Sequence, residues 1–245
     1  MGIKNPAEKS VSLTDLSAFL ADYFETPRYA PDEQGGIFRS STRPVRRLGL
    51  ALEPTAHLNT WAVENALDAL WIHRPWKLDL ESLPPDLGIL FHHLPFDEHL
   101  TLGYNPPLAT ALQLTAPEPI GYKQAPDRPP RAIGMLGNVT EHDFERWCQT
   151  VTDVVGGVES IQAGRAARIG RMAVVGAMNT ALVEEAAQRG ATLYVTGQYR
   201  PSASEAVRQT GISVLAVGHR RSEEWGLRAL AQMLGNQWPG LQVVL

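Results

Sequence analysis

The sequence predicts an α/β protein in which strands and helices alternate along most of the chain. Two observations support this prediction. Short apolar runs, of which 212–217 is the clearest, recur between segments whose apolar residues repeat at helical spacing, and proline, glycine and asparagine residues separate them. A dense run of prolines within 116–131 indicates a linker, so we expect an N-terminal lobe over 1–115 and a C-terminal lobe over 132–245.

Bulk composition excludes several classes of protein. The 245 residues carry 22 basic and 26 acidic side chains, a net charge of −4, so no overall positive field favours nucleic acid as the main ligand. The single cysteine, Cys148, forbids an intramolecular disulfide, and residues 1–6 lack the apolar core of a signal peptide. No apolar run reaches membrane-spanning length, so we expect a cytoplasmic protein without a membrane contact.

The N-terminal elements follow from caps and periodicity. Ser12 is a good cap for a helix over 13–24, whose apolar residues recur every three or four positions. Prolines and glycines within 26–44 predict a loop. A strand over 45–52, a helix over 58–70 and a second apolar run come next, and this order predicts a parallel crossover unit.

Histidines and an aspartate follow two of the predicted strands. His73 comes directly after the second strand, and His92, His93 and Asp97 follow the apolar run 87–91. Open α/β sheets place their ligand groups at the carboxyl ends of strands, which makes these residues candidates for a site. Adjacent histidines are also typical of a solvated surface or a hydrogen-bonded turn, and the residues alone leave both interpretations open.

The C-terminal lobe has the most regular alternation. Thr140 together with Asp143 is predicted to cap a helix whose apolar stripe includes Cys148, which we interpret as a core residue rather than a nucleophile. Asn179 caps the next helix, and Gly190 and Gly211 follow the ends of two helices. The predicted strands of this lobe cover 131–136, 171–175, 192–195 and 212–217.

The segment 218–223 joins the last of these strands to a final helix, predicted over 221–235. His219 and Glu223 are four positions apart and can face one another, which is half of a plausible metal site. The same pattern is expected of a histidine beside a helix start, where the helix dipole favours an acid in the first turn.

Four segments form an ordered set of motifs. They are His93-Leu94-Pro95-Phe96-Asp97, Arg131-Ala132-Ile133-Gly134, Thr196-Gly197 and Gly218-His219-Arg220-Arg221-Ser222-Glu223. Together they resemble the motifs of the Nif-three-like dinuclear metal centre family, whose members are often labelled GTP cyclohydrolase I type 2 homologues. The resemblance extends over most of the chain.

The resemblance implies a pair of divalent metal ions in a cleft between two related α/β lobes with mixed or mostly parallel sheets, within a ring-shaped homo-hexamer. The implied metal ligands are His73, Asp97, His219 and Glu223, and His93 matches an auxiliary histidine near the site. This mixed set of nitrogen and oxygen donors suits zinc, manganese, iron or nickel.

Several positions near the implied site depart from the family pattern, among them Pro201-Ser202, which replace a histidine that the family has there. Arg74 stands where the family has the second of two adjacent histidines, and a guanidinium, which stays protonated, does not ligate a metal. Gln198 stands where the family has an aspartate. Arg74 would instead place a fixed positive charge beside the site and attract an anionic or phosphate-bearing ligand.

Two functions are compatible with this sequence. The first is a metal-dependent hydrolase of a small nucleotide or phosphate-bearing molecule, in which one or two divalent ions activate water. The second is a ring-forming scaffold or regulator that binds a metabolite or partner without turnover through a degenerate metal site. The four predicted ligands favour the first, and the departures at Arg74 and Gln198 favour the second.

Overall fold

The computed structural model describes residues 10–245, which form two compact units. The first unit comprises the chain up to Pro95 together with Leu227–Leu245, and the second comprises Phe96–Gly226. Each unit holds one sheet flanked by helices, so the predicted mixed α/β fold is confirmed. Residues 1–6, on which the predicted localisation depends, lie outside the described part of the chain.

Five strands form the sheet of the first unit. They are β1 (Gly36–Arg39), β2 (Arg47–Ala51), β3 (Ala69–Ile72), β4 (Gly88–Phe91) and β11 (Gln242–Val244). Their order in the sheet is β1-β4-β3-β2-β11. β11, β2, β3 and β4 are parallel, whereas β1 pairs with β4 in the antiparallel sense. The predicted parallel crossover between β2 and β3 is therefore confirmed.

Helix α1 (Leu13–Tyr23) begins and ends close to its predicted limits because its cap is strong. Ser12 Oγ accepts a hydrogen bond from the Asp15 N–H, and the Asp15 carboxylate accepts one from the Ser12 N–H. The buried face of the helix carries Leu13, Leu16 and Leu20, which are at helical spacing. This spacing is the periodicity from which the sequence predicts the helix.

Two N-terminal predictions need correction. Helix α2 spans Leu58–Glu64 instead of 58–70, because Ala66 adopts a left-handed conformation with φ 47° and β3 follows closely. The segment 26–44 is not all loop, since it contains β1. Pairing with β4, about fifty residues away, stabilises this strand, and local composition does not report such pairing.

Six strands form the sheet of the second unit. They are β5 (Thr115–Ala125), β6 (Arg128–His142), β7 (Ser160–Gln162), β8 (Ile169–Val175), β9 (Leu193–Thr196) and β10 (Ser213–Ala216). Their order is β5-β6-β8-β9-β10-β7. β8, β9 and β10 are parallel to one another, and the other pairs are antiparallel. The sheet is thus mixed.

The predicted linker 116–131 lies instead in the hairpin of β5 and β6. The chain passes between the two units after Pro95 and after Gly226. β5 is an edge strand, where a missing N–H group removes no bond to a further strand. Pro129 and Pro130 precede the part of β6 that pairs with β8, which starts at Gly134. Prolines at such positions are compatible with a sheet, and their number was therefore a misleading sign of a linker.

The remaining helices are α3 (Leu94–Leu100), α4 (Pro106–Ala111), α5 (Phe144–Val155), α6 (Thr180–Gln188), α7 (Ser204–Thr210) and α8 (His219–Gln237). The side chains of Asn105, Asp143 and Asn179 cap α4, α5 and α6 by accepting main-chain hydrogen bonds. None of the helices formed by residues 10–245 has the length and apolar character needed to cross a membrane.

The second sheet has a hydrophobic cluster on each face. Leu193 and Val195 of β9 belong to one cluster, and Tyr194, which points to the opposite face, belongs to the other. Cys148 packs against the first cluster, and burial raises the pKa of its thiol. These contacts support its interpretation as a core residue.

Candidate metal centre

His73 lies at the carboxyl end of β3, at the place where an α/β sheet presents ligand groups. All four residues of β3 are buried, and the His73 side chain is itself fully buried. Its main-chain N–H donates to Ala51 O at 3.0 Å, so the histidine is held directly beyond the paired part of the strand.

The imidazole of His73 has a defined tautomer. Its Nδ1 atom lies 2.9 Å from the main-chain oxygen of His92. A carbonyl oxygen only accepts hydrogen bonds, so the hydrogen of the neutral ring is on Nδ1 and the lone pair is on Nε2. Metal-binding histidines are commonly oriented by such a hydrogen bond from the second ring nitrogen.

His92 is a core residue. Its side chain is fully buried, its Nδ1 atom accepts a hydrogen bond of 3.0 Å from Trp71 Nε1, and its ring lies 5.0 Å from that of Phe24. Burial lowers the pKa of His92 to about 3, so the ring is neutral at physiological pH. His92 is therefore neither a solvated surface residue nor a member of the group of candidate metal ligands. Its role is to orient His73.

Glycine is required at position 35, beside His92. Gly35 has φ +74°, and a Cβ atom placed on it would clash with the Phe91 carbonyl oxygen and lie 2.9 Å from Cδ2 of His92. The loop before β1 therefore passes directly against the histidine that orients His73.

His93, unlike His92, contributes to a group of candidate metal ligands. One donor atom from each of His73, His93 and Asp97 lies within 4.8 Å of the other two. The His93 ring centroid is 5.1 Å from that of His73. Asp97 belongs to the first turn of α3, four residues after His93. The structure thus groups three of the five residues that the sequence nominated.

The three donors fit a divalent transition metal. Donors about 2.1 Å from a shared ion lie roughly 3 to 4.2 Å apart, so a limit of 4.8 Å requires only a small movement of the side chains. Two imidazole nitrogens and one carboxylate oxygen are suited to borderline ions such as zinc, manganese, iron or nickel. Three protein ligands also leave coordination positions for water or substrate.

His219 and Glu223 face one another at the start of α8. His219 Nε2 lies 2.9 Å from Glu223 Oε1, and the glutamate side chain is almost fully buried while that of His219 is 65% exposed. The helical spacing that the sequence predicted is thus present. The three-residue donor group found within residues 10–245 includes neither of them.

Two of the departures from the family pattern, Arg74 and Gln198, follow the ends of buried strands. Arg74 follows His73 directly, and its main-chain N–H donates to Leu52 O at 2.9 Å. Gln198 is exposed, two residues beyond β9. At the end of β9 the Thr196 hydroxyl is buried without a hydrogen-bond partner among the described residues.

Sequence reasoning missed a buried ion pair beside Asp97. Arg131 Nε donates to Glu98 Oε2 at 2.8 Å, and both side chains are less than 9% exposed. Lys123 Nζ lies 3.3 Å from the other carboxylate oxygen of Glu98. An arginine at the start of an otherwise apolar run was the available signal, because a buried guanidinium needs an acidic partner.

Comparison with known proteins agrees with the resemblance of the motifs. A protein of Deinococcus radiodurans named GTP cyclohydrolase 1 type 2 homolog is 24% identical, over 91% of this chain and 89% of its own. A protein of Pseudomonas aeruginosa with the same name is 27% identical, over 94% of each chain.

A solved structure shares the fold of this chain, and a family model identifies its family. The crystal structure of a Thermus thermophilus protein aligns with a TM-score of 0.73 and 22% identity, over 96% of this chain and 97% of its own. The model of the Duf34/NIF3 (NGG1p interacting factor 3) family matches residues 80–245, which include Asp97 and both motif residues of α8. This chain therefore belongs to the Duf34/NIF3 family.

Proposed function

We propose that this protein is a divalent-metal-dependent hydrolase of a small nucleotide or phosphate-bearing molecule. The observation that carries the proposal is the group of His73, His93 and Asp97, whose donor atoms lie within 4.8 Å of one another. Polar side chains that converge on one point in this way are concentrated at functional sites. The name of the relatives, GTP cyclohydrolase 1 type 2 homolog, supports a nucleotide as the substrate class.

Each residue has a defined part in this proposal. His73, oriented by the His92 carbonyl, and His93 present imidazole nitrogens, and Asp97 presents a carboxylate oxygen. When bound, a divalent ion acts as a Lewis acid and lowers the pKa of a coordinated water. Glu223 and His219 complete the donor set in our proposal, because they match the last two metal ligands of the family pattern. Their mutual contact of 2.9 Å keeps both groups in position.

Metal analysis of purified protein tests this function. We expect wild type to bind manganese or zinc stoichiometrically and to hydrolyse members of a panel of phosphate esters and nucleotides. His73→Ala and Asp97→Asn should each weaken metal binding at least tenfold, because the first removes a donor atom and the second removes the negative charge of the carboxylate. His57→Ala, at an exposed position, is the matched control. A wild-type protein that binds no divalent metal, or binds it equally well after both substitutions, would contradict the proposal.

Arg74 is proposed to bind the anionic group of the substrate, since it directly follows His73 in the chain. We expect Arg74→Ala to weaken the binding of a phosphate ester about tenfold and Arg74→Lys to restore part of the affinity, because lysine keeps the charge without the planar fork. Equal affinities in wild type and Arg74→Ala would remove this role.

A second candidate function is supported by Arg74 itself. Because an arginine replaces a metal-binding histidine of the family pattern, the protein would act as a homo-hexameric scaffold that binds a metabolite or partner without turnover. A protein that binds no stoichiometric metal and turns over no member of the panel would favour this function. Turnover that depends on added metal would exclude it.

A further inference from the structure

The main chain around Trp76 is held in place on both sides. The N–H groups of His73 and Arg74 donate to main-chain oxygens next to β2, at 3.0 and 2.9 Å. Pro75 has a restricted φ, and its carbonyl accepts a hydrogen bond of 2.9 Å from the Leu78 N–H. The position of Trp76 is therefore determined by the end of β3 and the turn that follows it.

The side chain of Trp76 does not share in the packing of this segment. Leu78 and Leu83, from the same connection between β3 and β4, pack into the hydrophobic core of the first unit. Trp76 is 62% exposed. Indole is large and apolar, so its exposed surface is available for contact with a ligand or partner.

The indole of Trp76 lies against a candidate metal ligand. Its ring centroid is 4.9 Å from that of His93, and the two planes make an angle of 85°. With the rings perpendicular, His93 covers no more than one face or edge of the indole, and a broad face stays available for a planar group. Arg74, two positions away, adds a positive charge to the same segment.

We propose that Trp76 is the stacking surface for a planar heterocycle, such as a nucleobase, carried by the ligand of the metal centre. This assignment rests on the function proposed above, in which His93 belongs to that centre. It also predicts the specificity of the site. Arg74 recognises the anionic group and Trp76 recognises the ring, so a purine nucleotide binds more tightly than a sugar phosphate without a base.

Binding of AMP, GMP and ribose 5-phosphate, measured by calorimetry on wild type, Trp76→Ala and Trp76→Phe, tests this inference. We expect both purine nucleotides to bind wild type roughly 5- to 150-fold more tightly than ribose 5-phosphate, the range for stacking of one base on an aromatic side chain. Trp76→Ala should bring all three ligands to one affinity, and Trp76→Phe should keep part of the preference. Val63→Ala, which alters a side chain 60% exposed on α2, is the control.

Two further measurements separate the possible failures. Manganese and zinc affinities should be equal in wild type and Trp76→Ala, because Trp76 supplies no donor atom. If wild type binds neither metal, the proposed hydrolase fails, while the comparison of nucleotides on metal-free protein still decides the role of Trp76. An unchanged purine preference in Trp76→Ala, or no preference in wild type, overturns the inference. A change in sedimentation of Trp76→Ala also overturns it, because the indole would then serve a contact between copies of the chain.

Discussion

Trp71, His92 and His73 form a short chain of hydrogen bonds that connects the core of the first unit to the candidate metal centre. The indole N–H of Trp71 fixes the His92 ring, and the His92 carbonyl fixes the His73 ring. The planes of the Trp71 and His92 rings are nearly parallel, at 13°. All three residues are fully buried, so the arrangement is shielded from water.

Trp71→Phe is predicted to weaken metal binding about tenfold, because it removes the donor that fixes His92, whose carbonyl is the outer partner that orients His73. It should also lower the free energy of unfolding by about 1–3 kcal/mol, since the buried Nδ1 atom of His92 loses its donor. Metal titration against an indicator and urea unfolding measure the two effects. The control is Trp61→Phe, at a partly buried position of the same core. If both variants bind metal like wild type, the orientation of His73 does not depend on Trp71.

The sequence identified candidate site residues where polar side chains stand next to apolar runs. His73, His93 and Asp97 stood out because polar side chains directly followed apolar runs, and the structure groups them. The orienting role of His92 was not predictable, because it depends on a main-chain carbonyl and on a tryptophan twenty-one positions away. The exposure of Trp76 and the packing of Trp225 against a core cluster were equally hidden.

Among the elements, the hairpin of β5 and β6 is attached to its neighbours by charged side chains. Glu118 of β5 accepts hydrogen bonds from Arg171 Nη2 of β8 at 2.7 Å and from Arg189 Nη2, at the end of α6, at 2.9 Å. These two hydrogen bonds lower the pKa of the Glu118 carboxyl below its usual value of 4.5. One carboxylate thus ties an edge strand both to the sheet and to a helix.

Glu118→Gln is predicted to lower the thermal midpoint at pH 7, and the difference from wild type should disappear in acid. The folded pKa lies below the unfolded value, so the carboxylate contributes stability above about pH 4.5 that is lost as the pH falls through the folded pKa. Scanning calorimetry of both proteins between pH 3 and 7 measures this convergence. Glu64→Gln, at an exposed position in the other unit, should show no such dependence. A constant difference at all pH values would contradict the prediction.

Elements with local signals were predicted well, and elements that depend on distant partners were not. The caps at Ser12 and Asn179 marked helix starts correctly, because capping is a contact between near neighbours in the sequence. The cap predicted from Thr140 with Asp143 marked the right region, and Asp143 alone is the N-cap of α5. β1 and the hairpin over 116–131 were missed, because glycine and proline there are made compatible with a sheet by edge positions and long-range pairing.

At the scale of the whole molecule, metal binding and folding are expected to be linked. His73 and His93 are twenty positions apart and come together only in the folded chain, so an ion that needs both donors binds the native state and not the unfolded one. The family assignment rests on a match over residues 80–245, a range that contains all four motifs. Assembly into a homo-hexamer stays a prediction from the family resemblance.

Saturating manganese or zinc is predicted to raise the thermal midpoint by about 5 to 10 °C. An ion at a hundred times its dissociation constant stabilises the native state by about 2.7 kcal/mol, and each kcal/mol corresponds to about 2–4 °C for a chain of this size. Differential scanning fluorimetry with and without EDTA measures the shift. His73→Ala should abolish it and His57→Ala should preserve it. An equal shift in both variants would place the bound ion elsewhere.

The glycine at position 35 has a consequence for how this chain tolerates change. It offers no functional group, yet any side chain there would press on the backbone next to His92, and the disturbance would pass on to the imidazole of His73. In a saturation library we therefore expect position 35 to be as intolerant as the ligands themselves. A natural variant that lost this glycine would lose the centre while keeping every motif by which the family is recognised.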